Sequence, residues 1–138
     1  MKKHCTIITN DNKSVVYITD TGYINEKYYE ILKNRNVYIM ESNHDVELLM
    51  NNEHYPHNIK IRILGDEGHL SNVDSSMYLS KLIGDNTKKV FLHHLSEENN
   101  TPDIALKTLK ETLIKKNIEF DNISVASQNE ISEVVTIW

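Results

Sequence analysis

Apolar residues in this 138-residue chain gather in short blocks, each fenced by polar, turn-forming residues. Residues 6–9 and 14–19 are rich in β-branched and aromatic side chains and flank the turn-forming Asn10-Asp11-Asn12-Lys13, a pattern that predicts a hairpin ending at Asp20. Residues 26–33 place Tyr28, Tyr29 and Leu32 at helical spacing, and 37–40 form an almost wholly apolar run suited to a buried strand. A short helix is predicted over 46–50. The polar stretch 51–58, interrupted by Pro56, reads as a surface loop, and 59–64 alternate after it. Ser71 or Asn72 can cap a helix whose stripe is Met77, Leu79, Leu82 and Ile83 and which ends near Gly84. Residues 89–92 form a second buried strand that delivers His93 and His94. Thr101-Pro102 then opens a helix with Leu106, Leu109 and Leu113 facing inward, and 123–126 close the chain with a strand. A hairpin followed by alternating helices and strands predicts one α/β domain, with helices packed on a mixed sheet.

Composition narrows the class. Hydrophobic residues make up 39% and charged residues 25%, well away from a disordered chain. A net charge of −5 excludes a broad basic footprint of the kind that grips phosphate backbones without regard to sequence, so any contact with nucleic acid must be local. The single cysteine, Cys5, excludes an internal disulfide framework and a thiolate zinc site, and fits a reducing cytoplasm. The basic start Met1-Lys2-Lys3-His4 precedes only Ile7-Ile8, too short for a signal-peptide core, and no run approaches a membrane span. His4 reads as a tail residue.

Asp20, Glu41 and His94 each follow an apolar strand directly, and ligands of open α/β sheets gather at strand C-termini. A carboxylate can bridge two cations and an imidazole supplies one neutral nitrogen, so Asp20 with His94 makes a partial dinuclear site. Ordinary explanations compete. Asp20 in Thr19-Asp20-Thr21-Gly22 can be a turn residue, and Ser42 or Asn43 can cap the helix behind Glu41. Alternation lets only one of His93 and His94 face a site. His69 stands between Gly65-Asp66-Glu67-Gly68 and Leu70-Ser71-Asn72, where two glycines allow sharp turns and a phosphate could rest on the helix end, although plain loop chemistry also produces such a sequence. His54-Tyr55-Pro56-His57 lies in the expected loop and offers no fixed geometry for a metal.

Four segments, Tyr17-Ile18-Thr19-Asp20-Thr21-Gly22-Tyr23, Glu41-Ser42-Asn43-His44-Asp45, the stretch from Arg62 to Asn72, and His94-Leu95-Ser96-Glu97-Glu98-Asn99-Asn100, resemble in order and spacing the YycJ (WalJ) family. The resemblance covers almost the whole chain. It implies the C-terminal half of an αβ/βα metallo-β-lactamase sandwich, a mixed sheet with helices on one face, related to RNase Z and RNase J and linked to 5′-to-3′ exonuclease action on DNA. It also implies two divalent ions, zinc or manganese, with Asp20 matching the bridging carboxylate and His94 the last metal-binding histidine. Glu41 and His69 look like the pair that acts on the leaving-group oxygen, since a carboxylate keeps an imidazole protonated and ready to donate. His44, Asp45, Ser96 and Asn99 are candidates to support these groups from behind. His93 departs from the small residue expected at its position.

The His-x-His-x-Asp-His signature of that fold occurs nowhere in the 138 residues, nor does the histidine that precedes Asp20 in the family. The expectation is a single partial metallo-β-lactamase-like domain over 1–138, with too few donors for tight metal binding and inactive alone. A sheet face left without its partner predicts an exposed apolar patch, and with it an amino-terminal half in trans or self-association. Two other readings stay open: a non-catalytic interaction module that keeps the half-fold, and an RNA-processing nuclease of the RNase Z or RNase J kind, with DNA favoured over RNA as substrate. No membrane partner is expected.

Overall fold

The computed structural model describes residues 4–137. One five-stranded sheet runs in sequence order, β1 (His4–Asn10), β2 (Lys13–Thr19), β3 (Val37–Glu41), β4 (Lys89–His93) and β5 (Ile123–Val125). The β1–β2 pair is antiparallel and every later pair is parallel. Parallel neighbours need crossovers. A 3₁₀ turn with α1 (Tyr29–Leu32) joins β2 to β3, and α5 (Pro102–Lys115) joins β4 to β5. The β3-to-β4 crossover is the long one and holds α2 (Val46–Asn51), α3 (His57–Leu64) and α4 (Asn72–Leu82).

Strand alternation sorts the sheet into two faces. Val16, Ile18, Tyr38, Met40, Val90 and Leu92 point to one side, and there they pack with Leu32 of α1, Leu79 and Leu82 of α4, and Ala105, Leu109 and Leu113 of α5. Tyr38 is fully buried, and its hydroxyl lies 2.7 Å from the Leu32 carbonyl and 2.9 Å from the Leu82 carbonyl, where α1 and α4 end. Burial pushes its phenol up to about 12. On the opposite face Val15, Tyr17, Ile39 and Phe91 are only half-buried, and Ile8 on β1 is 61% exposed. Near that face Lys89 is buried among Asn122, Ser124 and Glu133, so the segment after β5 folds back to neutralise it.

Two expectations need correction. Residues 57–64 form α3, whereas the alternation of 59–64 and the presence of Pro56 had argued for extended chain or loop. Pro56 takes the N-cap position, where its missing N–H costs nothing, and Ile59, Ile61 and Ile63, which alternate like a strand, sit on a helix with no fully buried residue. His4 is the first residue of β1, paired with Thr19, and not a tail residue; Met1–Lys3 lie outside the described residues. Elsewhere the caps follow the sequence. Ser71 accepts from Asp74 N at the start of α4, and Thr101 accepts from Ile104 N with Pro102 behind it.

Leu79→Ala and Leu109→Ala, each removing a fully buried side chain, should destabilise the chain by about 2–5 kcal/mol. Ile114→Ala on α5, at a position 72% exposed, should change stability by about 0.5 kcal/mol or less. Urea midpoints at constant slope read both.

Candidate functional site

Register places the site. Ile18, Met40 and Leu92 stand side by side on β2, β3 and β4, so the residues just beyond them arrive together at one sheet edge. Asp20 and His94 each lie two positions on, with Glu41 on β3 opposite His93. Both Asp20 (φ 54°) and His94 (φ 56°) adopt the left-handed conformation, which costs a residue with a Cβ about 1–2 kcal/mol. Two strands therefore end at the same edge in the same strained geometry, and strain of this kind concentrates where function requires it.

Glu41 has a fully buried side chain, and one of its oxygens, Oε1, lies 2.7 Å from His69 Nδ1 and 2.6 Å from His94 Nδ1. Its other oxygen is 3.4 Å from Leu70 N. Burial by itself would push the carboxyl up, but the two imidazole hydrogen bonds outweigh it and hold the group at about 2. An ionised carboxylate can only accept, so both rings donate from Nδ1–H and turn Nε2 outward. The same contact raises the His94 pKa against the opposing effect of partial burial. Asp20 Oδ1 completes the group at 3.8 Å from each Nδ1. Asp20, Glu41, His69 and His94 thus converge, with one possible ligand atom from each within 4.8 Å of the others.

His69 reaches this edge from a loop that depends on close backbone approach. A Cβ on Gly68 would sit 2.1 Å from Ile63 O, where His69 N donates at 3.0 Å, and a Cβ on Gly22 would sit 2.0 Å from Gly65 O. Gly22 N donates to Asp66 O, which ties the Asp20 turn to the His69 loop. The expected sharp turn is present, closed by Gly68 N donating to Gly65 O at 2.9 Å, but no glycine among the described residues has a positive φ, so their use here is room for backbone contact. At the α4 end beyond His69, Asn72 N donates to His44 O and Asp74 N to Ser71 Oγ.

Behind the charged groups stands a residue that sequence reasoning assigned to capping. Asp45 is the cap of α2, accepting from Leu48 N, while Asn43 sends its amide Nδ2 to His94 O at 2.8 Å. The Asn43 backbone donates to Leu70 O and accepts from Ser96 N, so one residue holds both histidine-bearing segments. His44 is buried, and burial with the nearby His69 lowers it to about 4; its neutral ring donates Nδ1–H to Asn43 Oδ1 at 3.2 Å. Ser96 Oγ accepts from Asn99 N, and Asn99 O accepts from Asp45 N, which locks the loop after His94 to the start of α2. None of His44, Asp45, Ser96 and Asn99 has a hydrogen bond or ion pair to Asp20 or Glu41. A buried ring of Ser42, Asn72 and Asn100 side chains joins β3, α4 and α5 nearby, and short asparagine-rich turns gave no signal of it.

The remaining histidines go elsewhere. His93 donates Nε2–H to Ile18 O at 3.1 Å and packs on Tyr17, so alternation presents only His94 to the site. His54 pairs with Glu98 in solvent and His57 starts α3, neither near the cluster.

Carboxylate oxygen and imidazole nitrogen, with no thiolate, form a donor set suited to zinc or manganese. With Glu41 occupied by two Nδ1–H groups, Asp20, His69 and His94 offer fewer donors than two cations require, so these residues fit the group as part of a larger shell.

No family model matches the chain. It is 40% identical over 107 residues to "Exodeoxyribonuclease YycJ" of Bacillus anthracis, and 42% identical over 108 residues to "Exodeoxyribonuclease WalJ" of Streptococcus pneumoniae. Each match covers 78% of this chain and 40% of the relative, so the chain spans well under half the length of these curated relatives. In three dimensions it is similar to the metallo-β-lactamase fold protein YhfI from Bacillus subtilis, with TM-score 0.56 at 18% identity over 88% of this chain and 40% of that one. It is also similar to a diphosphatase of the PhnP family, with TM-score 0.50 at 12% identity over 99% and 45% of the two chains. The fold is therefore that of the metallo-β-lactamase group, as expected.

A carboxyl held at about 2, against an ordinary 4.5, contributes stability that is present above pH 4.5 and is lost as pH falls toward 2. At about 1.4 kcal/mol per unit the contribution is roughly 3 kcal/mol. Urea melts from pH 6 down to pH 2 should show this acid loss, and Glu41→Gln should flatten most of it. An unchanged pH slope in the variant would contradict the account of Glu41.

Proposed function

Because the chain belongs to the YycJ/WalJ family along the stretch it shares with those proteins, we propose that it carries one edge of a metal-dependent phosphodiesterase site acting on the 5′ ends of DNA. The observation that supports this reading is the meeting of Asp20, His69 and His94 around the buried Glu41 carboxylate. Asp20 and His94 Nε2 would hold divalent cations, zinc or manganese, and His69 would face the departing oxygen. When bound, two cations supply Lewis-acid polarisation of phosphate and water.

The chain's own residues have separate tasks. Glu41 keeps the Nδ1 protons of both rings and so fixes their orientation, much as carboxylates orient metal-binding histidines generally. An imidazole that rests its Nδ1–H on a carboxylate can carry a second proton at Nε2 and deliver it to the leaving oxygen, a step worth about 10²–10⁴-fold. The relatives' names support DNA as the substrate, and the acidic chain leaves phosphate binding to this local site. The His-x-His-x-Asp-His ligands that the family resemblance implies are not among these 138 residues, so on this reading residues outside them complete the site. The half-buried row Val15, Tyr17, Ile39 and Phe91 is the sheet face offered to it.

Mixing this chain with the part of a YycJ/WalJ relative that it does not span should, with manganese, release nucleotides from a 5′-labelled DNA strand. His69→Ala should reduce the rate by about 10²–10⁴-fold, and Asp20→Ala and His94→Ala should also lower the amount of metal bound. Full activity of the chain alone would refute the dependence on a second half. Undiminished turnover by His69→Ala would refute the role of His69.

A further inference from the structure

A cavity of about 250 Å³ opens directly on His69 and His94, between the α2–α3 connection and the loop that follows β4. Pockets that enclose drug-sized ligands run from about 300 to 1,000 Å³, so this one has room for a single ring system. Tyr55 and Ile63 supply an aromatic and apolar wall, while Ser96 and Gln128 supply polar groups. Gln128 spends its Nε2 on Leu95 O at 2.7 Å, which leaves Oε1 as an acceptor. Ser96 Oγ accepts from Asn99 N, which leaves its O–H as a donor. The lining includes no lysine or arginine, and it includes Glu97, so a second phosphate would be repelled there. A neutral, planar group with both donors and acceptors is what these walls suit.

We propose that this cavity receives the nucleobase of the nucleotide on the leaving side of the scissile bond, with Tyr55 stacking on the base and Ser96 and Gln128 meeting its polar edge. The inference rests on the phosphodiesterase reading for the position of the scissile phosphate, since His69, the donor to the departing oxygen, forms part of the cavity wall. It adds a specificity element: flat aromatic stacking tolerates every base, and the two hydrogen-bonding groups bias the choice.

NMR titration of the labelled full chain with dAMP, and with 2-deoxyribose 5-phosphate as the base-free control, tests the proposal. Saturable shifts at the Tyr55 ring and Ile63 methyls with dAMP, and not with the sugar phosphate, are expected. Tyr55→Phe should retain this affinity and Tyr55→Ala should lose at least about fivefold, the factor that about 1 kcal/mol of stacking carries. An unchanged amide spectrum of Tyr55→Ala away from the cavity shows that the loss is local. Equal shifts with the base-free control, no saturable shift with dAMP, or wild-type affinity in Tyr55→Ala would each overturn the proposal. Manganese added to the same sample separates the two readings: broadening at Asp20 and His94 alongside any of those failures leaves the phosphodiesterase standing without its base pocket.

Discussion

One carboxylate organises the functional edge of this molecule. Glu41 sits at the end of a central strand with no solvent exposure, and a buried charge there would be prohibitive without donors close by. His69 and His94 supply them, both on the same oxygen, and they come from segments far apart in sequence. The pairing therefore has two consequences. It links the β3, β4 and α3–α4 segments by charge-assisted hydrogen bonds, and it fixes the tautomer of both imidazoles, with Asp20 Oδ1 3.8 Å from each Nδ1. This arrangement depends on the carboxylate remaining ionised, which the two donors favour.

Around that centre the fold contributes stiffness. Three parallel strands end level with one another, so Asp20 and His94 need only one further backbone twist each, taken in the left-handed region. Asn43 holds the His69 and His94 segments together through its backbone and amide, and the neutral His44 orients that amide. Gly22 and Gly68 let the Asp20 turn and the His69 loop pack backbone against backbone, which brings the fourth group within reach. On the opposite face of the sheet Val15, Tyr17, Ile39 and Phe91 stay half-buried among the described residues.

Much of this was legible in the residues. Apolar strands followed at once by Asp20, Glu41 and His94 announced a common edge, because parallel strands share an end, and Pro102 and Ser71 announced their helices. Helix α3 escaped because Ile59, Ile61 and Ile63 fall at every second position, the period of a strand, and none of its residues is fully buried. The role of Asn43 escaped because a polar residue before a helix has an ordinary explanation in capping, and only the tertiary placement of His94 O distinguishes the two. That one Glu41 oxygen serves both histidines could not be read from spacing, since it depends on the loop packing that Gly68 permits.

Long-range ¹H–¹⁵N correlation of the imidazole rings, recorded on this chain at neutral pH, is the most direct test of the arrangement. Both His69 and His94 should show a protonated Nδ1 with a strongly downfield proton, and both signals should move together when Glu41 is replaced by Gln. Protons resident on Nε2 with a bare Nδ1, or two rings that respond independently to loss of Glu41, would contradict the shared carboxylate on which the site is built.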